Sequence, residues 1–169
     1  MKKIFMTMAA MVIAASASAQ VYIGGCAGLS SVKYGKADSK MHYALVPEIG
    51  YEFNKNWEAG LTIGYEGVED GYNTFELAPY ARYTFCNIVD LFLEGTVGYK
   101  HFGGNGRDYD GFEFGIKPGL KVNLSDHVAF ITKVGFFGYQ QENEGDAKVK
   151  AFGVNLDGTN IQFGVNYKF

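Results

Sequence analysis

Apolar and polar residues alternate along almost the whole chain after Gln20. The alternation is clearest over residues 57–65, where polar residues or glycine separate Trp57, Ala59, Leu61, Ile63 and Tyr65. A period of two is typical of a β-strand with one apolar face. It recurs in seven other segments, whose apolar positions run from Val21 to Leu29, Met41 to Phe53, Phe75 to Phe85, Leu91 to Tyr99, Phe112 to Leu124, Val128 to Phe136 and Ile161 to Phe169. The pattern therefore predicts eight strands.

The last of these segments carries a change of parity. Phe152, Val154 and Leu156 lie at even positions, whereas the apolar residues from Ile161 onward lie at odd positions. One apolar face can continue through such a change only if the strand is interrupted. We therefore expect a bulge or kink near Asp157-Gly158.

The connections between the segments alternate in length. Short links are expected at Asn54-Lys55-Asn56, Asn87-Ile88-Val89 and Ser125-Asp126-His127, and longer polar links near residues 35–40, 66–73, 103–110 and 141–150. Short turns at one end and longer loops at the other are typical of up-and-down outer-membrane barrels, in which the short turns are periplasmic. Both chain termini would then lie at the periplasmic end.

The polar face distinguishes a membrane barrel from a soluble, lipocalin-like barrel that binds a ligand in an apolar interior. Charged residues alternate there with glycine, which weakens a solvated strand but suits the narrow interior of an eight-stranded barrel. The charged positions are Glu48, Glu58, Glu76, Arg82, Glu94, Lys100, Glu113, Lys117, Lys121 and Lys133. The expected fold is all-β, an eight-stranded antiparallel up-and-down transmembrane β-barrel. Glu58, Arg82 and Glu94 are expected at similar heights, as lumen ion pairs.

The first residues indicate export. Lys2 and Lys3, an apolar stretch and Ala17-Ser18-Ala19 are typical of a secretory signal peptide. Cleavage is expected between Ala19 and Gln20, so that residues 1–19 are a signal peptide and residues 20–169 the barrel domain. Removing two of the 15 basic residues leaves 13 against 18 acidic ones, a formal charge of −5, which argues against a nucleic-acid partner.

Several stretches resemble the small outer-membrane β-barrel family related to OmpX and the OmpA transmembrane domain. They are PEIGYEFNKNWEAGLTIGY, APYARYTF, FGIKPGLKVNLS and the ending IQFGVNYKF. The ending, with Tyr167 and Phe169, is similar to the assembly signal read by the barrel assembly machinery. The resemblance implies location in the bacterial outer membrane, contact with its lipid, and insertion by that machinery; we expect a monomer. It implies no activity, because such barrels include adhesion proteins, structural anchors and a few lipid-modifying enzymes.

The residues with catalytic or ligand-binding potential are scattered. The three histidines, His42, His101 and His127, are far apart in the expected barrel. His101 comes nearest to the arrangement that a lipid hydrolase would require, but it has no serine near it in the sequence. We expect that the protein is not an enzyme and that it has no catalytic residue, cofactor or metal site. A lipid-modifying enzyme is the alternative. The acidic residues Glu66, Glu69, Asp70, Asp108 and Asp110 are interpreted as solvated loop residues, and no disulfide is expected between Cys26 and Cys86. The expected role is structural or surface interaction, with a filled lumen.

Overall fold

The chain forms ten hydrogen-bonded β-segments. The computed structural model describes residues 20–32, 40–68, 71, 73–85, 89–104, 106–144, 147–156 and 161–169. The segments are β1 Val21–Val32, β2 Lys40–Glu52, β3 Trp57–Val68, β4 Asn73–Thr84, β5 Asp90–Gly104, β6 Arg107–Asn123, β7 Val128–Val134, β8 Phe136–Glu144, β9 Ala147–Asn155 and β10 Ile161–Lys168. None of the described residues belongs to a helix long and apolar enough to cross a membrane.

These segments close into a barrel of eight antiparallel strands. From β1 to β6, each segment pairs with the next one in the chain, and β1 also pairs with β10, which closes the sheet. β7 and β8 both pair with β6 and are two parts of one strand, while β9 pairs with β8 and β10 with β7. The fold predicted from the sequence is confirmed.

A bulge at Gly135 divides the seventh strand. Its φ of 72° lies in the left-handed region, which glycine enters without steric cost. The inserted residue reverses the parity of the strand, so that both Lys133 and Phe136 are buried inside the barrel. The expectation that Phe136 lies on the same outer face as Val134 is therefore wrong: its ring lies 5.8 Å from the Lys117 ammonium.

The eighth strand is interrupted on the partner side of the same bulge. Asn155 pairs with Phe136 and Ile161 with Val134, so the pairing of this strand stops and resumes on either side of Gly135. The even-numbered Phe152 and the odd-numbered Phe163 are both exposed on the outer surface. The apolar residues on either side of the predicted change of parity therefore face outward. The predicted position of the break, Asp157-Gly158, lies outside the described residues.

Polar side chains close two of the predicted short turns. The Asn54 Oδ1 accepts hydrogen bonds from the backbone N–H groups of Asn56 and Trp57, at 2.9 and 3.0 Å. The Ser125 Oγ accepts the corresponding bonds from His127 and Val128, at 3.3 and 3.1 Å. Residues 86–88, in the third predicted turn, lie outside the described residues.

At the opposite end, two of the predicted long links are largely strand. Residues 103–110 and 141–150 belong mostly to the hairpins β5–β6 and β8–β9. The predicted link 66–73 begins within β3, which ends at Val68. Pairing continues in the first hairpin because Phe102 and Tyr109 stack inside it with ring centroids 4.7 Å apart, and because Gly104 and Gly106 adopt positive φ at the reversal. The glycine and charge that suggested loops therefore serve extended hairpins.

The apolar face is the outer surface of the barrel. Aromatic residues form contacts on it near both ends: Tyr51–Phe53, Trp57–Tyr83 and Tyr167–Phe169 at the short-turn end, and Tyr43–Tyr65, Phe114–Tyr139 and Phe137–Phe152 at the other. Aromatic groups at both margins of an apolar band are typical of membrane barrels. This orientation is the reverse of the one that a lipocalin-like barrel requires.

Replacing Gly135 with alanine tests the bulge. A Cβ atom there would lie 2.6 Å from the Asn155 carbonyl oxygen and would clash with the Leu156 side chain. Gly135→Ala should therefore lower the free energy of unfolding by about 1–3 kcal/mol, measured by denaturant titration in lipid vesicles with Trp57 fluorescence. Gly153→Ala is the control, since a Cβ atom there meets nothing within 4 Å. Equal stabilities of the two variants would contradict the strain at Gly135.

The barrel interior as the candidate functional site

Arg82 lies at the centre of the barrel interior and is fully buried. Its Nη1 lies 2.9 Å from Glu58 Oε2, and its Nη2 lies 2.6 Å from Glu94 Oε2 and 3.1 Å from Glu48 Oε1. The guanidinium also lies against two rings, 5.0 Å from the centroid of Tyr80 and 4.6 Å from that of Phe92. One cation thus joins three buried carboxylates.

The strand register explains the position of the three residues predicted from the sequence. Glu58 lies directly opposite Arg82 on the neighbouring strand, and Arg82 lies directly opposite Glu94 on the next. Side chains in such positions are close enough to pair. Glu48 and Lys133 join the group from strands not adjacent to β4, so local alternation could not identify them.

Lys133 completes what we call the central cluster, with Arg82, Glu48, Glu58 and Glu94. Its ammonium lies 2.9 Å from Glu48 and 3.0 Å from Glu94. Below the cluster, Lys121 lies 2.9 Å from Glu52 and 2.5 Å from Glu58, and Lys168 is paired with Glu52. The four carboxylates Glu48, Glu52, Glu58 and Glu94 are therefore matched by the four cations Arg82, Lys121, Lys133 and Lys168.

A second group of charges, the upper cluster, lies nearer the long hairpins. Glu113 lies 2.7 Å from Lys100 and 3.3 Å from Lys117, and Glu76 lies 3.8 Å and 3.6 Å from the same two ammonium groups. Gln140 donates a further hydrogen bond of 3.0 Å to Glu113. Two carboxylates and two cations balance here. The upper cluster is therefore neutral without an added ion, and so is the central cluster when Glu52, Lys121 and Lys168 are counted with it.

Several spaces adjoin the clusters. A recess of about 490 Å³ opens at the short-turn end and is lined by polar residues including Asn54, Asn56, Lys121, Asn123 and Lys168. A cavity of about 270 Å³, which we call the upper cavity, lies at the end of the long hairpins. His42, Glu66, Lys100 and Glu142 are among the residues that line it. A space of only about 50 Å³ adjoins the upper cluster. The charged clusters lie between the two larger spaces.

The comparisons with known proteins agree with this architecture. The family model for the outer membrane protein β-barrel domain matches residues 4–169. The chain belongs to this family. It is an outer-membrane β-barrel, located in the bacterial outer membrane, as the sequence predicted.

Two solved structures show the same fold. Neisserial surface protein A is 14% identical, with a TM-score of 0.57 over 90% of this chain and 98% of that one. The N-terminal β-barrel domain of Pseudomonas aeruginosa OprF is 13% identical, with a TM-score of 0.53 over 89% of this chain and 98% of that one. No curated protein matches the sequence.

The three histidines of this outer-membrane β-barrel lie apart. His42 lines the upper cavity, whereas His101 lies outside, with its Nδ1 2.9 Å from Asp110, which also accepts a hydrogen bond from Tyr99. The His127 Nδ1 lies 2.9 Å from the Lys168 carbonyl oxygen. Among the side chains that the structure describes, Ser125 makes no hydrogen bond to a histidine ring, and no group of three metal-ligating residues occurs. Glu69 and Asp70 lie outside the described residues.

Cys26 is a free thiol buried in the lumen against Val46 and Ile131. Cys86 lies outside the described residues. Cys26 thus belongs to a small apolar contact inside the barrel, a packing role that sequence alternation alone could not assign.

The residues of the predicted assembly signal lie at the short-turn end. Tyr167 and Phe169 are exposed on the outer face with their rings edge to face, 5.3 Å apart. The Phe169 N–H donates to the Val21 carbonyl oxygen at 3.0 Å, which extends the pairing of the first and last strands. Gln20 lies nearby and accepts a bond of 2.8 Å from the Glu52 N–H, whereas Ala19 lies outside the described residues. Cleavage between these two stays a prediction.

Removing the central cation should destabilise the outer-membrane β-barrel. Arg82→Leu leaves three buried carboxylates with too few partners, a change that costs about 3–5 kcal/mol when a buried pair is broken. The measurement is the unfolding free energy in lipid vesicles. Lys55→Leu, at an exposed turn position, is the control and should change it by less than about 0.5 kcal/mol. Adding Glu94→Gln to Arg82→Leu should recover part of the loss; an unchanged midpoint in Arg82→Leu would contradict the role of the cluster.

Proposed function

We propose that this protein is a non-enzymatic outer-membrane β-barrel with a structural or surface-interaction role and a lumen closed by paired charges. The observation that supports this proposal is the charge balance of the upper cluster, and of the central cluster together with Glu52, Lys121 and Lys168. Cations and carboxylates that neutralise one another across the lumen leave little attraction for a permeating ion. Transport is therefore not the function that we favour.

The narrow interior gives the closure a steric basis as well. Eight strands enclose a space just wide enough for side chains. Arg82, Glu94 and Lys133 are all nearly fully buried at mid-height, and the rings of Tyr80 and Phe92 fill the space beside them. A solute would have to displace side chains that are held by several ion pairs each.

The hairpins support a role at the cell surface. β5–β6 and β8–β9 continue as paired strands beyond the aromatic contacts of the outer face, and their ends lie opposite the short turns. Short turns are periplasmic in this class of barrel, so the hairpins point away from the cell. Ordered surface structure of this kind suits binding more than permeation.

A lipid-modifying enzyme is the alternative, but nothing in the geometry favours it. The nearest arrangement is Tyr99–Asp110–His101 on the outer face, which holds a carboxylate and an imidazole but no serine nucleophile. We therefore propose no catalytic role for these residues.

Conductance across a planar lipid bilayer tests the closed lumen. The folded protein should show no resolved channel openings. The triple variant Glu48→Gly, Arg82→Gly and Glu94→Gly should conduct ions because it removes three of the five side chains of the central cluster. Each sample is first checked for folding by its gel mobility with and without heating. Lys55→Gly is the matched surface control. Stable openings of the unmodified protein would refute the closed lumen.

We also infer that the barrel assembly machinery recognises the C-terminal strand through Tyr167 and Phe169, and that the protein is a monomer in contact with outer-membrane lipid. The support is the terminal aromatic sequence and its position beside the barrel closure. If Phe169 contributed only apolar area, its loss would cost about 2 kcal/mol and leave assembly intact.

Comparing Phe169→Ala with Phe114→Ala separates recognition from burial. Both rings face outward and are similarly exposed, 40% and 47%. Phe169→Ala should accumulate as unfolded, protease-sensitive protein in the periplasm, whereas Phe114→Ala should assemble normally. The measurement is the heat-modifiable fraction after pulse labelling. Equal yields of folded barrel would rule out the recognition role.

A further inference from the structure

Two carboxylates of the upper cavity lie on opposite walls of the barrel. Glu66 belongs to β3 and Glu142 to β8, and both are half-buried residues that line this space. In the sheet, β4, β5 and β6 separate β3 from β8, so the two carboxylates are half the circumference of an eight-stranded barrel apart. They therefore face each other across the cavity.

The lysine of this cavity does not neutralise these two carboxylates. Lys100 is the one lysine or arginine among the described residues that line the space. Its ammonium lies 2.7 Å from Glu113 and 3.8 Å from Glu76, so it belongs to the upper cluster. Among the described groups, the Tyr109 hydroxyl donates a long hydrogen bond of 3.4 Å to Glu142. A negative charge thus remains on each of the two walls.

The sequence of this end of the barrel supplies no excess of cations. Residues 33–42, 66–73, 103–110 and 141–150 together contain nine acidic and six basic residues, including those outside the described ranges. Without Glu66 and Glu142, the acidic residues of these segments still outnumber the basic ones. The field at the mouth of the cavity therefore attracts a cation from outside.

A third carboxylate lacks a hydrogen-bond donor below these two. Glu76 is only 4% exposed, and its Oε1 accepts no hydrogen bond from the described residues. The ammonium groups of Lys117 and Lys100 lie 3.6 and 3.8 Å from this carboxylate, beyond ordinary hydrogen-bond length. Glu76 lines the space of about 50 Å³, which shares Glu66, Lys100 and Gln140 with the upper cavity. A donor that enters through the cavity can satisfy this buried acceptor.

The arrangement of these acceptors favours an organic polycation over a metal ion. A divalent metal requires several oxygen ligands that converge at about 2.0–2.6 Å. The described residues contain no group of three that could hold one, because the carboxylates are spread over two walls and the space below. Phe102 also lines the cavity, and an aromatic wall attracts an alkylammonium ion that has little hydration to lose.

We propose that the upper cavity binds a linear aliphatic polyamine from outside the cell. The terminal ammonium groups bind Glu66 and Glu142, and an N–H group between them donates to Glu76. A primary ammonium carries three donors on a compact head, which suits acceptors on separate walls. The cavity volume of about 270 Å³ is that of a small-molecule site. The site lies outside the central cluster, so this inference does not depend on whether the lumen is closed.

Binding of spermidine to the folded protein, in detergent micelles free of lipopolysaccharide, tests the proposal by isothermal titration calorimetry. Glu66→Gln with Glu142→Gln should weaken the affinity roughly 25-fold, about fivefold for each half-buried carboxylate. The control, Asp108→Asn with Asp126→Asn, makes the same change in net charge at two exposed positions and should leave the affinity within about twofold. An unchanged affinity of the glutamine variant, or an equal loss in the control, would overturn the site.

Two other ligands define the class of cation. Butylamine, which carries a single ammonium group, should bind the unmodified protein much more weakly than spermidine does. Equal affinities would overturn the bridging of the two walls. Magnesium chloride should displace spermidine poorly, and displacement as effective as that by spermine would overturn the assignment to an organic cation.

The part assigned to Glu76 is tested with cadaverine, a diamine that lacks the internal amine of spermidine. The unmodified protein should bind spermidine more tightly than cadaverine, and Glu76→Gln should reduce this difference. The heat-dependent gel shift shows whether the variant still forms an intact barrel. Equal binding of the two amines by the unmodified protein would contradict the hydrogen bond to Glu76, whatever the stability of the variant.

Discussion

The pairing of Arg82 with Glu48, Glu58 and Glu94 is the interaction on which the barrel interior depends. A buried charge is tolerated only when opposite charges and hydrogen bonds replace the water that it has lost. Here one guanidinium serves three carboxylates from three other strands. The same contacts therefore satisfy the charges and hold the four consecutive strands β2 to β5 at fixed heights.

Glycine makes room for this arrangement. A Cβ atom at Gly60 would lie 2.5 Å from the Tyr80 hydroxyl oxygen, and one at Gly50 would clash with the Tyr22 ring. Those two tyrosines hydrogen bond to each other at 2.6 Å, and Tyr22 also donates to Glu58 at 3.2 Å. Small residues on one strand thus allow large side chains from another strand to support the charged cluster. The alternation of glycine with long side chains is a packing requirement of a narrow barrel.

The sequence was sufficient to predict the features that depend on alternation and neighbouring strands. Glu58, Arg82 and Glu94 follow from hairpin register because each lies opposite the next. Lys133 could not be placed in this way, since its contact with Glu48 crosses the lumen and depends on the tilt of the strands. The inward position of Phe136 was missed because a single glycine, Gly135, changes the parity of its strand without any change in composition. The hairpins were mistaken for loops because glycine and charge occur both in loops and in paired strands beyond a membrane.

The distribution of charge separates the roles of the interior and the surface. Within the lumen, Glu113 and Glu76 are matched by Lys100 and Lys117, so the charges are used in holding the fold together. Paired charges lose most of their field to one another, so the clusters exert little attraction on an ion outside the barrel. If the lumen does not conduct, interactions of the protein with its surroundings must take place on its exposed surface.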